Sequence, residues 1–393
     1  MKNNVLKPNK LKGVNLGGWL LMEGYILRGR NIAEQVFKKQ FTQINGDRAL
    51  KVFERKFRDA FITQKDFSRI AAMGATVVRV PFNCRLIETS PYHFSSAGLS
   101  YLIRALDWAR DNKLKIILDL HAAAGSQNAD WHGDSLGKAL LWENASFRER
   151  TYALWEYIVA GVKDHPALHG YDVLNEPVLD KKNISRLTGF YREAVRRIKA
   201  IDNTHVIYLE GNTWAQQIDF LADIIDDGVA VSIHAYQPLT YTFNYTPGVL
   251  YPGKIENERW RSSKIAAYME PYAKFSQKHN VEIFVGEFGI NWRGGHFGEL
   301  NWVDDILSAF DDFGFSYTYW TYKAVANNVF PDGIYQYMPN SPFVRREGPV
   351  YGWETYPTAW KKNHAAIIDA LKTDTYTKNA ALVQLLKKHF TLR

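Results

Sequence analysis

A repeated alternation of amphipathic helical stretches and short apolar, β-branched strands constrains this chain most strongly. GVNLGG stands first. ITQKDFSRIAAMG then leads into VVRVPF, LSYLIRALDWARDN into LKIILDLH, and FRERTYALWEYIVAGVKDHP into LHGYDVLNEP. ISRLTGFYREAVRRIKAI precedes HVIYLEG, and a helical turn over 219–225 precedes VAVSIHAY. Helices over 259–279 and 300–312 introduce VEIFVGEFG and FSYTYWTY. Eight strands joined through helices predict a closed parallel α/β barrel. An open doubly wound sheet shares the alternation, but no GxGxxG opens a helix after a strand.

The expected fold class is therefore α/β, a (β/α)8 TIM barrel. At 393 residues, with 46% of them hydrophobic, the chain can bury the large core such a barrel needs. Leu50, Phe53, Phe57 and Phe61 share one face of a helix over 47–61. Thr63 and Asp66 stand at capping-box spacing, and Gly74 suits the end of that helix. Pro81 is expected to stop the second strand, which puts Arg79 near its exit. A closing helix after Trp360 and the terminal helix KNAALVQLLKKHF complete one catalytic domain over 1–393, with elaborated βα loops and a C-terminal helical extension.

Twelve Trp and 22 Tyr exceed what a core requires, and flat rings suit the apolar faces of sugars. The formal net charge of +8 includes Lys7, Lys10, Lys12, Lys38, Lys39, Arg55, Lys56 and Arg58. These read as a solvated face rather than a phosphate or nucleic-acid patch. Cys84 is the sole cysteine, so neither an internal disulfide nor a thiolate metal cluster is available. MKNNVLKPNKLKG lacks the apolar stretch of a secretory signal, and no later run approaches a membrane span. The expectation is a cytoplasmic protein without a membrane partner, or a secreted one if a signal peptide has been removed; the oligomeric state stays open.

HGYDVLNEP and VEIFVGEFG each carry a glutamate at a strand's exit, and parallel strands share one exit face. Glu176 and Glu287 can therefore converge as an acid and a nucleophile on opposite sides of a glycosidic bond. Asn175 can bind a sugar hydroxyl or make a local backbone bond, while Pro177 fixes the turn that presents Glu176. Arg79 can form a charge-assisted bond that keeps Glu287 ionised, although a structural ion pair would have the same pattern. His121, His234 and Tyr236 end strands three and six and can orient hydroxyls or carboxylates. A metal at the two histidines is less economical, since no compact ligand spacing accompanies them. Trp320 can floor the sugar site or fill the barrel end. Glu23, Trp131, His132, Asp134 and Trp292 are candidate substrate contacts or loop packing.

GVNLGGW, VVRVPF with Arg79, DLHAAAGSQN with His121, and DVLNEP with Asn175 and Glu176 form an ordered set. IHAYQP with His234 and Tyr236, VGEFG with Glu287 and TYW with Trp320 complete it. Together they resemble glycoside hydrolase family 5, the cellulase family of clan A. The resemblance implies a cofactor-free, metal-free retaining hydrolase of β-linked oligosaccharides or small β-glycosides. It makes Glu176 the acid/base, with raised proton affinity, and Glu287 the nucleophile. GVNLGGWLLMEGY, GSQN and HAYQP are most similar to the exo-β-1,3-glucanase branch, which brings Glu23 and Gln237 to a terminal glucose. Within the family, an endo-β-1,4-glucanase or a β-mannosidase is the alternative. A non-catalytic carbohydrate-binding protein would explain the aromatics without needing two opposed glutamates. A phosphate-handling barrel would explain the basic surplus but lacks a glycine nest near strands seven and eight.

Overall fold

The computed structural model describes residues 10–325, 329–336 and 353–392. Eight parallel strands close into a barrel in the order β1-β8-β7-β6-β5-β4-β3-β2. They are β1 (Lys12–Asn15), β2 (Val77–Asn83), β3 (Lys115–Ala122) and β4 (Leu168–Asp172). β5 (Val206–Glu210), β6 (Val229–His234), β7 (Ile283–Phe288) and β8 (Ser316–Tyr319) complete the ring. All eight match the sequence alternation. Their near-continuous apolar runs follow from burial on both faces, by the barrel interior and by the surrounding helices. Inside, Val77, Ile117, Tyr208, Ala230 and Phe284 form a separate packed cluster.

Helix 47–61 turns Phe53, Phe57 and Phe61 into the core, with Leu50 partly buried beside them. Phe53 meets Phe41 of the unpredicted helix Glu34–Asn45 and, edge-on, Trp360 of the closing helix Tyr356–Asp369. At Thr63 both capping-box bonds form, because the shorter Asp66 side chain still reaches the Thr63 N–H at 2.8 Å. The terminal helix Ala380–Thr391 buries Leu382, Leu386 and Phe390.

Three local expectations change. Pro81 does not end β2, which runs on to Asn83 in register with β3. In a parallel ladder alternate residues bond to opposite neighbours. Arg79 C=O accepts from Leu16 N–H, so Pro81 also faces the β1 side, where the ladder has already ended at Asn15. Its missing N–H therefore costs no ladder bond, and Arg79 sits mid-strand. Residues 219–225 hold only a short 3-10 stretch, Asp219–Asp223. The helix expected over 259–279 starts at Ser262, because Gly253–Ile255 and Glu258–Trp260 pair as a hairpin before it.

Part of the basic segment is paired, while Lys39 and Arg55 are exposed to solvent. Lys12 pairs with Asp311 at 2.7 Å, Lys38 with Glu34 and Glu54, and Arg58 with Glu54. Lys7 lies outside the described residues. Cys84 is buried and unbonded. Among the described residues no helix is long and apolar enough to cross a membrane.

Candidate active site

The C-terminal ends of the strands surround a cavity of about 380 Å³. Glu287 is the penultimate residue of β7, in register with His234 at the end of β6. Gly286 permits this approach, since a Cβ there would stand 2.9 Å from Ser232 Oγ and 3.2 Å from His234 Nε2. Glu176 follows β4 in the left-handed region, at φ 46°. A non-glycine residue holds that conformation only where its surroundings compensate. Here Glu210 accepts the Glu176 N–H at 2.6 Å and Asn128 Nδ2 donates to its C=O at 2.9 Å. One side-chain oxygen of Glu176 lies within 4.8 Å of one of Glu287.

Glu287 receives a donor on each oxygen. Arg79 Nη1 donates to Oε1 at 2.8 Å, and Tyr236 Oη donates to Oε2 at 2.8 Å. Burial, then the Glu287 charge, pushes the Tyr236 hydroxyl well up, so it remains a donor. The fully buried Arg79 also binds Asp172 at 2.9 Å, Asn175 Oδ1 at 2.9 Å and Glu210 at 2.9 Å, and lies 3.1 Å from Asp119. Burial raises Asp119 to about 8 against the pull of Arg79. Asn175 is buried beneath the pocket, with Nδ2 3.4 Å from His121 Nε2. His121 binds Asp119 through Nδ1 at 2.7 Å, and burial lowers its pKa to about 3, leaving a neutral imidazole.

Glu176 has a different environment. His234 Nδ1 lies 2.6 Å from its Oε1, and His132 Nε2 is 3.6 Å from its Oε2. The expected rise in proton affinity is not what this pairing produces. Burial alone would push Glu176 up, but attraction and hydrogen bonding to His234 outweigh it and bring the carboxyl down to about 2. His234 moves the opposite way, well above 6.5, because Glu210, Glu287 and Glu176 together overcome its desolvation. The proton thus belongs to a Glu176–His234 pair rather than to the glutamate alone.

Glu23, Trp131, Gln237 and Trp320 line the cavity with both glutamates, His121, His132, His234 and Tyr236. Trp320 stacks on His121 with centroids 5.4 Å apart and donates through its indole N–H to Tyr25 Oη. Gly17 makes room for that indole, since a Cβ would come within 2.9 Å of it. Glu23 is buried, and its Oε1 has no hydrogen-bond partner among the described residues. Burial keeps its pKa well raised, despite the attraction of His132. A protonated carboxyl of this kind can both donate to and accept from a hydroxyl.

Two expected contacts stand apart from the cavity lining. Asp134 turns behind it, accepting from Gln35 N–H at 2.8 Å, Asn83 Nδ2 at 3.1 Å and Arg85 Nε at 3.0 Å. Its carboxylate is occupied in tying the start of helix Glu34–Asn45 to the end of β2 and the turn that follows it. Trp292 lies just beyond β7, where its backbone N–H binds Asp332 at 2.7 Å. Sequence reading overlooked Tyr25, Trp214, Tyr245 and Phe330 at the mouth and Glu210 beneath it. Tyr25, Tyr245 and Phe330 sit in irregular segments, and Trp214 in the short turn Asn212–Ala215 after β5. Glu210 did carry a signal, as an acid ending HVIYLEG.

Glu176, His234 and Glu287 lie close enough together for metal ligation, as do Asp119, Asp172 and Glu210. The Arg79 guanidinium already supplies the cation at the second group. At the first, the short His234–Glu176 contact uses the ring nitrogen a metal would need.

A family model described as cellulase (glycosyl hydrolase family 5) matches residues 34–325. A β-xylosidase of Phanerodontia chrysosporium is 28% identical over 330 residues, covering 80% of this chain and 67% of the relative. Endoglucanase C of Acetivibrio thermocellus is 24% identical over 351 residues, covering 81% of this chain and 92% of the relative. A crystal structure of a glycoside hydrolase superposes with a TM-score of 0.65 at 18% identity, covering 97% of this chain and 99% of the other, which shows the shared fold. Endoglucanases and glucan 1,3-β-glucosidases both occur among the relatives, so the exo-β-1,3-glucanase branch expected from the motifs is not singled out.

Proposed function

The chain belongs to glycosyl hydrolase family 5 and is an O-glycosyl hydrolase, and from that premise we propose that it cleaves β-1,4-linked glucans internally, with retention. Glu287 is the nucleophile and Glu176 the acid/base. The carrying observation is the pair of carboxylate oxygens within 4.8 Å, with donors on both oxygens of one glutamate and histidines around the other. Retaining enzymes hold their carboxyl groups about 5 Å apart, and inverting ones about 6.5–9.5 Å apart to admit a water.

In the first step Glu287 bonds to the anomeric carbon while the proton held by Glu176 and His234 passes to the glycosidic oxygen, and the leaving chain departs. Water then enters, gives a proton to Glu176 and releases the sugar from Glu287. Asn175, His121 and Arg79 hold the nucleophile's surroundings in place from below. Trp320 and Glu23 contact the sugar that reacts. Internal cleavage of a glucan is supported by the endoglucanase relative, which this chain matches along 92% of that relative's length.

Exo action on a terminal glucose is the second reading. It is favoured by the buried, unpartnered Glu23 Oε1 and by a cavity near the lower end of the roughly 300–1,000 Å³ range of small-ligand sites. Cello-, laminari- and manno-oligosaccharides, with products resolved by length and anomer, separate the readings. Internal cuts of cello-oligosaccharides with β products are expected. Stepwise terminal glucose release replaces endo with exo action, dominant manno-oligosaccharide cleavage replaces the sugar, and α products overturn retention.

A further inference from the structure

β5 ends at Glu210, whose side chain is fully buried beneath the cavity floor and touches no cavity space. Its two oxygens serve both halves of the site. Oε2 accepts the Glu176 N–H at 2.6 Å, while Oε1 accepts from Arg79 Nη2 at 2.9 Å and lies 3.3 Å from His234 Nε2. Arg79 in turn holds Glu287, and His234 holds Glu176. Tyr191 Oη donates to the Glu210 C=O at 2.9 Å and so anchors the strand end that presents it.

We propose that Glu210 is a positioning residue that joins the nucleophile's guanidinium to the acid/base histidine, and that its negative charge keeps His234 protonated beside Glu176. The proposal rests on the assignment of Glu176 as acid/base. Glu210, His234 and Glu176 then form a carboxylate–imidazole–carboxylate chain. In acid catalysis the Nδ1 proton of His234 moves to Glu176 Oε1 as Glu176 protonates the leaving oxygen. His234 becomes the neutral Nε2–H tautomer, with Nε2 still 3.3 Å from Glu210 Oε1, and the proton taken later from water restores the pair. One proton enters and one leaves per turnover.

The charged neighbours favour Glu210 for this role. Arg79 from β2, Asp119 from β3, Asp172 from β4, Glu176 after β4, His234 from β6 and Glu287 from β7 all face the same small volume, with Tyr236 and His132 above it. Burial pushes Asp172 well up and Asp119 to about 8, which makes both poor anions near neutrality. Glu210 is lowered instead, because His234, Arg79 and the Glu176 N–H together outweigh its burial. It is also the largest attraction acting on His234. A glutamine cannot replace it. Its single oxygen would face the three donor groups Glu176 N–H, Arg79 Nη2 and His234 Nε2, with its amide N–H directed at one of them.

The test is the pH profile of kcat/KM for wild type, Glu210→Gln and Glu210→Asp. Each is assayed on a cello-oligosaccharide and on an aryl β-glucoside whose leaving group needs no proton. On the oligosaccharide, Glu210→Gln should move the alkaline limb down by about one pH unit or more and lower kcat at least tenfold. Glu210→Asp keeps the charge and should keep the limb while losing kcat. The aryl substrate should lose much less. Equal losses on both substrates with an unmoved limb would mean a merely structural role and overturn the proposal. If Glu176→Ala, assayed alongside, fails to spare the aryl substrate, the acid/base assignment itself fails; if it does spare that substrate while Glu210→Gln leaves the limb in place, only the present proposal fails. Should Glu210→Gln not fold, NMR titration of ¹⁵N-histidine-labelled wild type, with the signal assigned by His234→Asn, decides. A doubly protonated His234 at pH 7 is expected, and a neutral one overturns the proposal.

Discussion

Arg79 Nη1 donates to Glu287 Oε1 at 2.8 Å across the barrel floor, from a guanidinium with no exposed surface. The same group also lies within 3.1 Å of Asp119, Asp172 and Glu210, so one cation serves four carboxyl groups. Removing it leaves Glu287 and Glu210 buried without their counter-charge, and Asp172 and Asp119 without the guanidinium beside them. Arg79→Met should therefore cost roughly 3–5 kcal/mol, the range for breaking a buried pair from one side. It should also abolish detectable turnover. Urea unfolding measures the first effect, and a variant as stable as wild type would refute this view of the floor.

Glu287→Gln keeps the shape of the side chain but removes the attacking carboxylate. A loss in kcat on the order of 10,000-fold or more is expected, with the melting temperature near that of wild type. A folded variant with wild-type kcat/KM would remove Glu287 from the nucleophile's role.

Glu176→Ala should divide substrates by leaving group. A natural oligosaccharide should lose roughly 100- to 10,000-fold, the usual contribution of a positioned acid or base. An activated aryl glucoside should keep its first step, stall in the second, and recover turnover when azide replaces the water. Equal losses with no azide rescue would exclude this role.

His132 offers a stability test. Burial disfavours its charge, but Asp130 and Glu176 outweigh that and raise it from 6.5 to about 9. A group raised in the folded state stabilises fully below its unfolded pKa and loses that contribution as pH climbs through its folded value. The melting temperature should therefore decline from about pH 6.5 to about pH 9. His132→Gln should flatten that decline, and an identical slope in the variant would show that His132 does not carry it.

The fold was legible because its cause is local and periodic. Each of the eight strands shows a run of residues buried on both faces, and each helix one apolar stripe; neither pattern needs a distant partner to be seen. The strand ends then announced Glu176, His234 and Glu287, because parallel strands in a barrel deliver their C-terminal residues to one face.

Pairwise distance is what the linear order does not contain. Asp134 and Trp292 looked like rim contacts from their loop positions, yet Asp134 is drawn back by Gln35, Asn83 and Arg85, and the Trp292 backbone is held by Asp332. Tyr25, Trp214, Tyr245 and Phe330 reach the mouth from segments with no periodic signal. The proton's location lies further still from the sequence. A buried glutamate ordinarily gains proton affinity, and the 2.6 Å approach of His234, with His132 on the other oxygen, reverses that for Glu176. Burial acts on each group by itself, whereas Coulomb attraction depends on the separation of two charges. The sequence therefore determined the barrel and which residues stand at its exits, and tertiary structure alone decided which of them meet and which of them holds the proton.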